Sequence, residues 1–270
     1  MDFKEWLNLR YKIDAASRSS KIESLFLNGL NSQHRTIVDL GAGTGSNFRY
    51  YHEKLPATHQ HWYLIDRGHD LLEETLINLE KGGMKLDHRE GNTIHLSKEE
   101  KSYCLELTIA DIFSKEVDPF LKKANIIVSN AFFDLASKPQ LQTFFKKINP
   151  QQRFIATINY VGMSFAPSSG DDLQWIEKYE QHMQRTRPEG QSSGPHCMRH
   201  MKEILQNLSI NFQHHESHWE LMPDDPVCEG IFDFMKNAFE DMKEDIAAFE
   251  KWKSEKANVL MKVLHEDILI

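Results

Sequence analysis

The sequence predicts an α/β protein built on a mostly parallel sheet with helices on both faces, and three observations carry that prediction. Residues 36–45, TIVDLGAGTG, run from a short apolar stretch into a glycine turn and on into a helical segment. Strand-like apolar runs at 61–65, 103–109, 124–128 and 153–161 then alternate with segments of helical periodicity. That alternation is the pattern of parallel strands joined by crossover helices.

The glycine turn is the most informative stretch. Ile37, Val38 and Leu40 read as a strand buried on both faces. Gly41, Gly43 and Gly45 permit a sharp turn and close approach of backbone N–H groups to a ligand. Ser46 and Asn47 follow, and residues 48–55 can be helical until Pro56. Strand, turn and helix start in this order make a nucleotide-type site credible. The spacing is G-x-G-x-G, with Asp39 two residues before the first glycine, whereas a dinucleotide loop uses G-x-G-x-x-G. An acid there suits an ammonium group and repels a phosphate. A dehydrogenase loop and a ligand-free turn are the alternatives.

This stretch resembles motif I of the class I S-adenosylmethionine-dependent methyltransferases. The resemblance implies a seven-stranded Rossmann-like sheet whose last strand is antiparallel. It also implies an N-terminal helical cap, and S-adenosyl-L-methionine as cofactor. On that basis Asp39, Gly41, Ala42, Gly43 and Asn47 surround the methionine part of the cofactor.

The remaining cofactor positions follow along the chain. Residues 2–35 read as two helices, the second opened by a capping box at Ser20-x-x-Glu23. Between them, Trp6-Leu-x-Leu-Arg10…Asp14-x-Ala16-x-Arg18 resembles the opening of a bacterial subgroup of class I methyltransferases for small molecules. Arg10 or Arg18 suits the cofactor carboxylate, because a guanidinium forks onto it. A solvated helix-face arginine is the plain alternative for either. Asp66 ends strand two, 21 residues after Gly45, near the offset at which an acid grips ribose hydroxyls, with Arg67 beside it. Asp70-x-x-Glu73 reads as the cap of the next helix. Residues 84–101 are polar and read as a weak strand or an excursion. Strand three ends at Asp111 and Ile112, which by the resemblance meet the adenine; Asp111 as the cap of a turn is the alternative.

Strand four runs into Ser129-Asn-Ala-Phe-Phe-Asp134-Leu. This segment lacks the Asn-Pro-Pro-Tyr of amino-methylating enzymes and is nearer the bacterial subgroup. Asn130 is a candidate cofactor contact, and Asp134 a candidate catalytic contact or an N-cap. Ser137-x-x-Gln140 opens the next helix, and strand five leaves Tyr160 and Met163 near the same rim. Residues 162–200 form a helical insertion. Residues 171–187 read as a helix with Trp175, Tyr179 and His182 on one face, either a substrate lid or a wedge between two surfaces, and residues 186–195 as a mobile loop. The C-terminal half, 201–270, holds a helix over 196–208, strand six over 212–221, a long helix from Asp224 to Phe249, and strand seven over 259–264. The whole chain, 1–270, reads as one domain, with a cap over 1–35 and a cofactor-binding half over 36–161.

Composition narrows the function. The 270 residues are 40% hydrophobic and 27% charged, ordinary for a globular protein. With 40 acidic and 32 basic side chains the net charge is −8, which disfavours a nucleic-acid substrate. No apolar run reaches the roughly 20 residues that span a bilayer, and the N-terminus lacks a signal pattern. Cys104, Cys197 and Cys228 form no C-x-x-C pair, so a cytoplasmic location is expected. His214 and His218 share a strand face without partners at zinc spacing, so no metal is expected. The expected activity is methyl transfer to a small-molecule acceptor, with Asp134, His182 and Tyr160 as candidate catalytic groups and His196 behind them. A protein or RNA methyltransferase and a non-catalytic binding module are the rival readings.

Overall fold

The computed structural model describes residues 1–31 and 33–270. Helices α1 (Phe3–Ser17) and α2 (Ser20–Leu27) precede strand β1 (Arg35–Leu40), the glycine turn and α3 (Ser46–Tyr51). Then come β2 (His59–Asp66), α4 (His69–Lys81), β3 (Lys85–Glu90), β4 (Thr93–Lys98), β5 (Lys101–Ile109), α5 (Asp118–Lys123) and β6 (Ile126–Asn130). They are followed by α6 (Lys138–Phe145), β7 (Arg153–Ala166), α7 (Asp172–Met183) and a small hairpin of β8 (Thr186–Arg187) and β9 (Gly190–Gln191). The chain closes with α8 (Cys197–Asn207), β10 (Gln213–Glu216), β11 (Trp219–Leu221), α9 (Pro226–Asp241), α10 (Ile246–Ser254) and β12 (Leu260–Leu269).

One sheet organises these elements, in the order β10-β12-β7-β6-β1-β2-β5-β4-β3, with β11 also paired to β12. The pairs β5–β2, β2–β1, β1–β6 and β6–β7 are parallel, and β12 runs antiparallel to β7. The expected seven-stranded plan is therefore present, with additions. Strand six is interrupted at Ser217 and His218 and becomes β10 and β11. The polar segment after α4 is an antiparallel hairpin, β3–β4, that extends the β5 edge.

Both faces of the sheet are covered where the strands are apolar. Val38, Ile65 and Phe154 pack under α5, α6 and α8, where Leu121, Phe144, Phe145 and Met201 are buried. On the other face Ile37, Trp62 and Leu105 meet Phe26 of α2, Phe48 of α3 and Leu72 of α4. A third cluster wraps the far end of β7 and β12 with Trp6, Trp175, Phe239, Phe249 and Trp252. Fully burying such side chains contributes about 1.5–3 kcal/mol each.

Several local expectations shift by a residue or a turn. The cap of α2 is Ser19, whose hydroxyl accepts the Ile22 N–H, because the capping residue must lie outside the first helical position. At α4 the cap position is Gly68; Asp70 sits in the first turn, and Glu73 is engaged by Arg89. The segment from Arg10 to Ser17 is helical, since α1 continues to the end of that run. Ser137 and Gln140 do form the anticipated capping box. The long C-terminal helix breaks, because Lys243 adopts φ +59° and Asp245 caps a new helix. Residues 186–195 are also anchored: Ser193 N–H donates to the Ala136 carbonyl at 2.8 Å and Ser137 Oγ to that of Glu189.

The turn after β1 needs its glycines for conformation and space. Gly41, Gly43 and Gly45 all have positive φ, and a Cβ at 45 would collide with the Thr75 side chain of α4. Gly45→Ala is expected to destabilise the chain by about 2–4 kcal/mol in urea unfolding, from left-handed strain plus overpacking. Gly83→Ala, at φ +80° with open space around it, carries the strain alone and should cost only about 1 kcal/mol.

Candidate cofactor and acceptor cavity

The carboxyl ends of β1, β2, β5, β6 and β7 open onto one cavity of ≈ 670 Å³. A crevice at the strand carboxyl ends is where ligands lie in open α/β sheets. The glycine turn forms its floor. Gly41 and Ala42 N–H both donate to the Ile65 carbonyl, at 2.9 and 3.0 Å, which folds the loop over the end of β2. Asp66 completes the link: Oδ2 accepts the Gly43 N–H and Oδ1 the Gly68 N–H, both at 2.9 Å. A carboxylate has about four acceptor positions, so two remain for a ligand.

Among the expected cofactor contacts, Gly41, Ala42, Gly43, Asp66, Arg67, Asp111, Ile112 and Asn130 line this cavity. Asp111 serves both readings, since its Oδ1 also accepts the Phe113 N–H at 3.0 Å. Its other oxygen pairs with Arg67, which also reaches toward Glu189 of the insertion at 3.7 Å.

Three expected contacts lie behind the loop, outside the lining. Asp39 is fully buried; its Oδ1 accepts from Asn47 Nδ2 at 2.8 Å, and Asn47 Oδ1 accepts from Arg18 Nη2 at 2.9 Å. Arg18 is buried against Tyr50 and Tyr51, with its guanidinium 4.1 Å from the Tyr50 ring centre. This chain Arg18–Asn47–Asp39 braces the turn from beneath. Arg10, one helical stretch earlier, does face the cavity, where its Nε contacts Asp14 at 3.2 Å.

Asp14 was not singled out by the sequence. It is buried at the cavity wall, Oδ2 accepts from Asn130 Nδ2 at 2.9 Å, and Oδ1 has no partner among the described residues. Its signal was present, as an acid four residues after Arg10 on an otherwise mixed helix. Burial pushes its carboxyl up, against the pull of Arg10 and of the Asn130 hydrogen bond.

The far side of the cavity carries the catalytic candidates. Asp134, Tyr160 and His182 all line it, whereas His196 does not. Desolvation raises the Asp134 carboxyl, opposed by its own backbone N–H and by Arg10 and Arg187, although the residue keeps some surface toward the cavity. Tyr160 donates its hydroxyl to Glu180 Oε1 at 3.0 Å, and burial lifts its pKa well above the usual phenol range. His182 is held by Asp241 at 3.2 Å and by Arg185 at 3.3 Å. The expected aromatic face of α7 divides: Tyr179 and His182 reach the cavity, while Trp175 packs with Phe239 and Phe249 in the core. His214 and His218 also separate, His214 meeting Glu266 at 2.9 Å and His218 accepting the His265 N–H beyond the end of β10.

Asp39 links the site to pH. Burial pushes its carboxyl up to about 7, with the Asn47 hydrogen bond and Arg18 acting in the opposite direction. The folded state then holds an extra proton between about pH 4 and pH 7, so this group's contribution to stability falls as pH rises through that window. Asp39→Asn mimics the protonated form. Its stability should decline less than the parent's between pH 4 and 7, by a difference on the order of 4 kcal/mol at most, measured by chemical unfolding at each pH.

No family model and no curated protein matches the sequence. Solved structures do. A cyclopropane-fatty-acyl-phospholipid synthase-like protein from Lactobacillus casei aligns with a TM-score of 0.54 at 9% identity, over 96% of this chain and 92% of that one. A Bacillus halodurans protein named as a candidate methyltransferase gives 0.52 at 11% identity, covering 93% of this chain and 97% of its own. The YcgJ protein of Bacillus subtilis gives 0.51 at 11% identity, covering 92% and 97%. At these identities the likeness is one of fold, and it agrees with strand order and glycine turn: the chain has the class I methyltransferase fold.

Proposed function

We propose that the chain binds S-adenosyl-L-methionine and transfers its methyl group to a small-molecule acceptor. The observation that carries this reading is the single cavity shared by the turn, Asp66 and Asp111 on one side and Asp134, Tyr160 and Tyr179 on the other. Its volume lies within the roughly 300–1,000 Å³ of sites that enclose small ligands. Helices α1, α7 and α9 wall it through Trp6, Met183 and Phe234, which supports an enclosed acceptor over a macromolecular one.

The residues present fit that cofactor chemically. Asp66 keeps acceptor positions for ribose hydroxyls, and the unpartnered oxygen of Asp14 is available to an ammonium at the cavity wall, whereas Asp39 acts from behind the loop. Arg10 is the cation available to a carboxylate, in place of the buried Arg18. Asp111 and the Ile112 backbone stand at the strand end assigned to adenine. When bound, the cofactor supplies an activated methyl on a sulfonium, a good leaving group.

The protein's own part is to orient the acceptor and exclude water. Tyr160, a phenol held protonated, keeps Glu180 turned away from the cavity centre. The Asp134 carboxyl is engaged by its own backbone N–H and by no hydrogen bond from another side chain among the described residues, so lone pairs remain for an acceptor N–H or O–H. With a raised pKa it accepts a proton readily at the moment the nucleophile sheds one. His182, engaged at both ring nitrogens, serves to position the α7 wall.

Titration calorimetry with S-adenosylmethionine and S-adenosylhomocysteine tests the cofactor assignment. Binding should be stoichiometric in the parent, and weakened by about tenfold or more in Asp66→Asn and in Arg10→Ala. Absence of binding to either compound removes the proposal. With an acceptor identified by labelled methyl transfer to a metabolite extract, Asp134→Asn should lower kcat roughly 100-fold while leaving cofactor affinity unchanged.

A further inference from the structure

A second cluster of chemically capable side chains lies on the sheet, away from the cavity. His61 of β2 pairs in register with Cys104 of β5, and Cys104 with His95 of β4. His95 in turn pairs with His88 of β3. Directly paired residues project to the same face, and so does Glu106, two residues after Cys104. The result is a row of His61, Cys104, His95 and His88 across four strands, with Glu106 beside it.

The geometry within this row is close. One ligand atom from each of His61, Cys104 and Glu106 lies within 4.8 Å of the other two, and His61 Nε2 contacts Glu106 Oε1 at 2.7 Å. The His61 ring stacks on Tyr63, with centres 4.6 Å apart, and Tyr63 packs on Phe120 of α5, so the imidazole is fixed from behind. All three donors are half-buried, while His95, on β4 beside β5, is exposed and stacks on His88 with ring centres 6.2 Å apart. Asp66 lies five residues along β2 from His61, about 16 Å at strand rise.

We propose that His61, Cys104 and Glu106, with His95 as the fourth donor, form a site for a zinc-type divalent transition cation. Two imidazoles, a thiolate and a carboxylate are a borderline-soft donor set, which suits zinc and excludes magnesium and calcium, whose sites are built from oxygen. Tetrahedral zinc places its ligand atoms about 3.5 Å apart. The His61–Glu106 contact must therefore open by under about 1 Å and the widest pair close by at most about 1.3 Å, movements that side-chain rotation supplies. Cys104 binds as the thiolate and releases its proton to solvent. The ion would clasp β2, β5 and β4 together, fastening a hairpin whose outer strand is exposed at every residue.

The test uses the full chain and zinc alone. Equilibrium dialysis should find one zinc per chain held against magnesium in excess, and cobalt should give a thiolate charge-transfer band. Cys104→Ser should abolish that band, and both it and His61→Ala should weaken zinc binding by about tenfold or more. Glu106→Gln, a conservative change on the same face, should also weaken binding, which keeps the test decisive where either of the others folds poorly. A His214→Ala variant should keep the full stoichiometry. Zinc binding that is unchanged in Cys104→Ser and Glu106→Gln, or no stoichiometric binding in the parent, overturns the proposal.

Discussion

The Asp66 carboxylate is the constraint on which the site depends. It receives the N–H of Gly43 from the turn after β1 and that of Gly68 from the start of α4, so one side chain ties two strand ends and a helix start. Without it the turn would keep the bonds of Gly41 and Ala42 to Ile65 and of Gly45 to Ala42, but Gly43 would lose its tie to the end of β2. The arrangement also explains why an acid is needed and an amide would be poorer. Both oxygens must accept from backbone and still offer lone pairs outward, which asks for acceptors alone.

Beneath that turn the protein concentrates opposite charges in a small buried volume. Asp14, Asp39 and Asp267 are all buried with raised carboxyl pKa values, desolvation being the largest cause in each. Arg18 faces the same region and lowers all three. The attraction does not fully offset the loss of hydration, as is common for buried ions. Such a set gains most from a ligand that brings its own cation and anion. A zwitterion entering between Asp14 and Arg10 would stabilise the ionised acids, in keeping with an amino-acid tail on the ligand.

Much of this was legible in the sequence, and the reasons differ by element. The central strands β1, β2, β6 and β7 were readable as apolar runs beside turn signals, and β5 by its strict alternation of apolar and polar or small residues. The β3–β4 hairpin was read only as a weak strand or an excursion, since β3 is polar apart from Leu86 and exposed at every residue, and its partner β4 pairs with the open β5 edge. Asp66 was placed by its offset from Gly45, and Asp111 by the resemblance, at the end of strand three. Arg18 and Arg10 could not be told apart by spacing, because the choice depended on where α1 ends: its cap falls at Arg18, which turns that side chain inward beneath Tyr50. The row of His61, Cys104 and His95 draws on three strands far apart in sequence, so no ligand spacing announced it.

The cavity wall opposite the glycine turn shows a different constraint. Ala131 and Ile158 have positive φ, and both line the cavity. For a β-branched residue this conformation is strained, by on the order of 1–3 kcal/mol, and it persists only where its surroundings hold it. Ile158 sits at an irregularity in the β7–β12 register, and its N–H donates to Asp267 Oδ1 at 2.7 Å. The other oxygen of Asp267 accepts the Ser19 N–H at 2.8 Å, at the junction of α1 and α2. One buried carboxylate therefore bolts the kinked strand to the N-terminal helices. The strain at Ile158 is sustained by the same contact that seats the N-terminal helices, so the two walls of the cavity are held in register by Asp267.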